Sequence, residues 1–343
     1  MNPAYFVIFI IFIALVFDFI NGFHDAANSI ATVVSTRVLR PHQAVLMAAF
    51  CNFAAAFFIE PHVAKTMGTG IINPIIVDNY FILSALGGAI IWNLITWWLC
   101  LPSSSSHALI GGLIGAGFVK GGLIGAGFVK GGLEVMVWKG IIKTTIFIFL
   151  APAIGLVLGL FIMIVVLNLF RHSNISKTTG IFKKLQIVSA ATYSVSHGMN
   201  DAQKTMGIIA ILLFNNGFLG TEFYVPFWVE ILCYLILAMG TMAGGWRIVK
   251  TMGMRITKLQ PIGGFCAETA AAISIIGASI GGIPVSTTHT ITGAIMGVGS
   301  TKRLTAVHWG IAGKIVWAWI LTIPIAAVLS AIIYVFLQVI MIQ

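Results

Sequence analysis

Apolar stretches near 5–20, 42–59, 80–101, 141–169, 185–213, 223–243, 262–282 and 307–340 dominate the chain, and polar residues interrupt them in short, dense clusters. Each stretch is apolar on every face. A membrane-spanning β-barrel would instead need alternating segments of about ten residues, so helices are the predicted spanning elements, at roughly 20 residues per crossing. Two glycine-rich segments, 107–130 and 286–299, follow runs of proline and hydroxyl residues; counted as membrane elements they bring the total to ten. The first stretch has no charged leader and no small-residue cleavage site, and it runs directly into a polar motif, so it is expected to stay as a helix.

The polar clusters repeat. Asn21-Gly22-Phe23-His24-Asp25-Ala26-Ala27-Asn28 aligns with His197-Gly198-Met199-Asn200-Asp201-Ala202-Gln203-Lys204. Lys65-Thr66-Met67-Gly68 recurs as Lys250-Thr251-Met252-Gly253, and Pro102-Ser103-Ser104-Ser105-Ser106-His107 recurs as Pro284-Val285-Ser286-Thr287-Thr288-His289. The offsets are 176, 185 and 182 residues, in the same order along the chain, which marks an internal duplication. Five membrane elements per half is an odd number, so the second half must enter the bilayer from the opposite side. The expected architecture is an all-α integral membrane protein of two inverted repeats with interrupted helices, 1–169 and 185–343, joined by a cytoplasmic connector at 170–184. In such folds the substrate and ion sites lie near the midplane. A second duplication, Gly111–Lys120 copied at 121–130, has one counterpart in the other half and is expected to carry no chemistry.

Composition agrees with a lipid solvent: 59% of residues are hydrophobic and 8% charged, against about a quarter charged in soluble domains. Alternate loops collect Arg37, Arg40, Arg171, Lys177, Lys183, Lys184, Arg247, Lys250, Arg255, Lys258, Lys302 and Arg303. That side is expected to be cytoplasmic, with both termini outside an inner (plasma) membrane. The net charge of +10 therefore implies no nucleic-acid partner. Cys51, Cys100, Cys233 and Cys266 lack metal-ligand spacing and read as small buried hydrophobes.

Acids inside apolar stretches are costly and mark sites. Asp25 and Asp201 each sit in a polar motif expected to break its helix, are related by the repeat, and are the first candidates for the coupling cation, whether proton or sodium. Glu268 is a third candidate without a repeat partner, and Asp18 and Glu230 are weaker ones. Ser104, Ser105 and Ser106, with Ser286, Thr287 and Thr288, follow prolines and open glycine-rich helices. Two such N-termini facing each other would offer backbone and hydroxyl donors to an anion, though plain capping also explains hydroxyls there. Asn28 and Asn200 can serve either ion. His107 and His289 close the hydroxyl motifs, as packing residues or as proton or anion contacts. Lys204 stands where the repeat places Asn28, one turn after Asp201, and could reach that carboxylate as a tethered cation in place of sodium. Acids for a cation beside helix ends for an anion read as a cation–anion symporter. No nucleophile–base constellation suggests an enzyme, and a channel would not need paired acids.

These paired motifs, together with Gly245-Trp246-Arg247 leading into Lys250–Gly253, resemble the inorganic phosphate transporter (PiT) family over nearly the whole chain. The resemblance implies re-entrant helical hairpins, often counted as twelve segments, and phosphate symport with sodium or protons. It assigns Asp25, Asn28, Asn200 and Asp201 to the paired motifs and the six hydroxyl residues to the hairpins. Gln203-Lys204 and His24 depart from the family's usual asparagines and resemble its proton-coupled members. A sulfate permease of the same family is the alternative, and metal-complexed phosphate and a homodimer are left open. No cofactor is expected beyond the coupling ion.

Overall fold

A computed structural model describes residues 3–71, 73–124 and 137–342 of the chain. Each half lays down the same succession of helices. The first contains α1 (Pro3–Ser35), α2 (Pro41–Ala54), α3 (His62–Lys65), α4 (Asn79–Trp98), α5 (Ser105–Ile124) and α6 (Trp138–Leu169). The second contains α7 (Ile175–Asn215), α8 (Phe227–Ala243), α9 (Trp246–Lys250), α10 (Pro261–Ile280), α11 (Thr287–Ser300) and α12 (Trp309–Ile342). The repeated Lys-Thr-Met-Gly motifs lead into π-helical turns at Thr66–Gly70 and Thr251–Arg255. Both closing helices contain a proline, Pro152 in α6 and Pro324 in α12.

Among the described residues, α1, α4, α6, α10 and α12 are long and apolar enough to cross a bilayer. Two bent pairs, α2 with α3 at 77° and α8 with α9 at 62°, raise the number to seven. The stretch at 185–213 lies in α7, whose interior face is too polar to qualify by composition. α7 also begins at Ile175, so much of the hydrophilic connector at 170–184 is helical.

One expectation needs correction. The motifs at 21–28 and 197–204 are expected to break their helices, yet α1 and α7 run through them unbroken. Their polar side chains find partners on neighbouring helices, so the backbone does not have to open. The helical path is interrupted instead at the bends before α3 and α9 and in the extended segments before Ser105 and Thr287.

The halves are interlocked. Asp18 of α1 accepts from Thr205 of α7 at 2.8 Å, and Thr36 at the other end of α1 donates to Gln186 at 2.9 Å, so the two helices lie antiparallel. Small residues let backbones approach, the usual basis of helix association in lipid. A Cβ on Gly22 would stand 2.2 Å from the Leu237 carbonyl oxygen, and one on Gly198 would stand 2.6 Å from that of Asn52. The offsets match those of the motifs, so one contact is the repeat image of the other. In the same way α5 packs on α12 while α11 packs on α6. Large apolar side chains such as Phe149, Phe161 and Phe336 face outward, as suits a lipid environment.

Candidate anion and coupling-ion site

α1 carries Asp18, Asn21, Asp25, Asn28, Ser29 and Thr32 at helical spacing, and α7 carries Gln186, Ser189, Tyr193, His197, Asp201 and Lys204; all are buried. Three- and four-residue steps place each set on one face. Because α1 and α7 are antiparallel neighbours, the two stripes meet, and Asp25, His197 and Asp201 each offer an atom within 4.8 Å of the others.

The hydroxyl motifs close over this meeting point. Ser104 Oγ accepts from His107 N at 3.2 Å and Ser286 Oγ from His289 N at 3.1 Å, so these two residues are the caps of α5 and α11. The hydroxyls after them point to the acids. Thr288 Oγ1 accepts from Asn28 Nδ2 at 2.8 Å and donates to Asp25 Oδ2 at 3.4 Å. Thr287 Oγ1 donates to Asp201 Oδ2 at 3.3 Å. Lys204 Nζ donates to Asp201 Oδ1 at 2.5 Å, to the Val285 carbonyl at 2.9 Å and to Ser106 Oγ. The bond from Lys204 to Ser106 is the repeat image of that from Asn28 to Thr288. A metal ion among the three groups would share Asp201 with an ammonium already bound to its other oxygen, which disfavours it.

The two helix N-termini therefore converge: Ser106 Oγ lies 3.4 Å from the Val285 carbonyl oxygen, and the rings of His107 and His289 are 4.5 Å apart. The first N–H groups of each helix have no intrahelical acceptor, and the dipoles add positive potential at the same place. Ser105 Oγ and Asn21 Oδ1 are buried without a hydrogen-bond partner.

Two candidates sit differently. Asn200 is committed to the turn between α10 and α11: its amide donates to Ser279 Oγ and the Ile283 carbonyl and accepts from Val285 N. Glu268 accepts from Gln186 at 3.1 Å and Ser189 at 2.5 Å. Ser189 precedes Asp201 by twelve residues, about 18 Å along α7, so Glu268 forms a separate buried acid. The sequence reading left out His197, although the repeat aligned it with Asn21. It also passed over Tyr193, whose hydroxyl donates to the Thr287 carbonyl at 3.4 Å; nothing in its apolar surroundings distinguished it.

The sequence profile described as the phosphate transporter family matches residues 21–330. The chain belongs to that family. It is 57% identical over 325 residues to a Rhizobium meliloti protein named "Probable low-affinity inorganic phosphate transporter", covering 95% of this chain and 94% of that one. A Bacillus subtilis protein of the same name is 44% identical, with 97% of each chain covered. A solved structure titled "The sodium-dependent phosphate transporter" superposes with a TM-score of 0.87 at 26% identity, covering 98% of this chain and 99% of that one. Membership of the phosphate transporter family makes this a multi-pass membrane transporter and not an enzyme. Phosphate, a tetrahedral oxyanion, is the transported substrate of that family.

Proposed function

We propose that the protein is a symporter that imports inorganic phosphate together with protons across the plasma membrane, with both termini outside. The observation that carries this reading is Lys204, whose ammonium joins Asp201, Ser106 and the Val285 carbonyl in one buried knot. A tethered cation already occupies the place where a sodium ion would neutralise Asp201, which favours proton exchange there. Phosphate would be held by Ser105, Ser106, Thr287 and Thr288 and the free N–H groups of α5 and α11, with Ser104 and Ser286 as caps. Asn28 would position Thr288, and Asn200 would brace the second hairpin. Asp25, Asp201 and Lys204 would carry the coupling charge, with Glu268 a further proton acceptor remote from the anion.

The antiparallel packing of α1 on α7 supports the inverted-repeat reading, since these are the matching first helices of the two halves. Alternating access would follow if one half rocks against the other around the shared knot. Buried Asn21 Oδ1, an acceptor without a donor, favours protonated phosphate over sulfate. Radiolabelled phosphate uptake into proteoliposomes, with proton and sodium gradients imposed separately, tests the reading. Uptake should follow the proton gradient and outcompete an equal concentration of sulfate. Uptake driven by sodium at constant pH would overturn the proton assignment.

A further inference from the structure

Each aspartate of the site is preceded, at four residues and at one, by a histidine and an asparagine, in opposite order in the two halves. The first half has Asn21 and His24 before Asp25; the second has His197 and Asn200 before Asp201. Both histidines are buried and both face acceptors from each ring nitrogen. His24 Nδ1 is 2.9 Å from Asp25 Oδ1, and its Nε2 is 3.2 Å from Thr96 Oγ1. The Thr96 hydroxyl donates to the Trp92 and Asn93 carbonyls and accepts from Ser103, so a lone pair is what it turns to the ring. His197 Nδ1 is 3.1 Å from Asn52 Oδ1, whose own amide nitrogen donates to Thr241. Its Nε2 stands 3.2 Å from Asp201 Oδ2, an ion-pair distance without full hydrogen-bond alignment. A neutral imidazole has one N–H and can satisfy only one such acceptor; an imidazolium satisfies both.

We propose that the coupling protons reside on His24 and His197, each shared with its neighbouring aspartate, and that their arrival reverses the charge of the site. The inference rests on the proton-symport reading. With both rings neutral, the two carboxylates outweigh the single ammonium of Lys204 and the site repels an anion. With both rings protonated, the positive charges outnumber the carboxylates by one and a phosphate dianion is attracted. Binding of protons and of phosphate is thereby linked through one electrostatic balance. The protons enter from the outside solution onto the ring nitrogens and leave to the inside when phosphate departs; no other bond changes. The other ionisable groups near the site have partners of their own. Asp18 on α1 is held by Thr205, and Glu268 on α10 by Gln186 and Ser189. Tyr193 on α7 donates to a backbone carbonyl, while His107 on α5 meets His289 on α11 edge to face and His289 stacks on Trp319. Arg247 on α9 lies over Trp97 and Trp98.

The repeat supplies the substitutions: His24→Asn copies Asn200, and His197→Asn copies Asn21. The experiment measures proton uptake on phosphate binding in weakly buffered detergent solution, together with phosphate affinity between pH 5 and 8. Each variant should take up about one proton fewer per phosphate and bind phosphate about tenfold more weakly at acid pH. As a check independent of folding of the variants, the unsubstituted protein labelled with 15N-histidine should show two rings becoming doubly protonated when phosphate is added. Unchanged proton uptake in both variants, or rings that stay singly protonated with phosphate bound, would overturn the assignment while leaving proton symport intact. Phosphate binding by the unsubstituted protein with no proton uptake at all would instead remove the symport reading.

Discussion

Lys204 Nζ lies 2.5 Å from Asp201 Oδ1, one turn apart on α7, and the same ammonium reaches the hairpin of the other half through Ser106. Its repeat counterpart, Asn28, makes the matching bond to Thr288 with a neutral amide. One side of the site is therefore built around a fixed positive charge and the other is not.

Replacing that charge should change the coupling ion. In Lys204→Asn the carboxylate of Asp201 loses its permanent partner and the cavity left is lined by oxygen atoms. We expect proton-driven uptake to weaken and sodium stimulation to appear, measured as phosphate uptake at constant pH with and without a sodium gradient. Proton-driven uptake at the unsubstituted rate without a sodium response would show that Lys204 is not the determinant.

Removing the acids should abolish coupled transport. Asp25→Asn and Asp201→Asn are each expected to stop uptake while the protein still reaches the membrane, judged by its elution profile in detergent. The two should differ in stability, because Asp201→Asn leaves the Lys204 ammonium buried without its carboxylate, a loss of about 3–5 kcal/mol. Adding Lys204→Asn to Asp201→Asn should recover much of the thermal stability but not the transport. Thermal melting of the single and double variants decides this; equal melting temperatures for Asp201→Asn and Asp25→Asn would contradict it.

Gly22 and Gly198 hold matching positions in the contacts between the halves. A methyl group at either meets a backbone carbonyl oxygen, at 2.2 Å from Leu237 or 2.6 Å from Asn52, and backbone cannot move aside as a flexible side chain can. Gly22→Ala and Gly198→Ala should each destabilise the protein by about 1–3 kcal/mol. The measurement is the melting temperature in detergent, with Gly180→Ala, whose Cβ meets no atom, as the control.

Deleting 121–130 should preserve or improve uptake. α5 runs through the first copy of the decamer, and Lys120 at the end of that copy is paired with Asp78, which also caps α4. Residues 125–130 of the second copy lie outside the described residues. Because the copies are identical, deleting either gives the same sequence, and Lys120 then leads straight into Gly131. A deletion variant that folds but no longer transports would give the duplication a function.

The sequence by itself determined the solvent, the helical class and the duplication, because these depend on composition and on motifs recurring at fixed offsets. It also identified Asp25, Asp201, Lys204 and the two hydroxyl motifs, since polar residues in apolar stretches stand out wherever they end up in space. The pairing of Lys204 with Asp201 was legible too, being a contact within one helical turn. Contacts across the fold were not. That Ser104 and Ser286 cap their helices while Ser106 and Thr288 turn toward the site depends on backbone geometry that changes within two residues, which the runs of hydroxyls hide. Glu268 reads like the other acids in sequence, yet the parallel packing of α10 on α7 hands it to Gln186 and Ser189. His24 is next to Asp25 and His197 is one helical turn before Asp201, so each pair is local; the two pairs became one cluster only through the antiparallel approach of α1 and α7. The neighbouring contacts of α1 with α8 and of α7 with α2 are set by small residues such as Gly22 and Gly198, whose lack of a side chain carries no sign of which backbone they will meet.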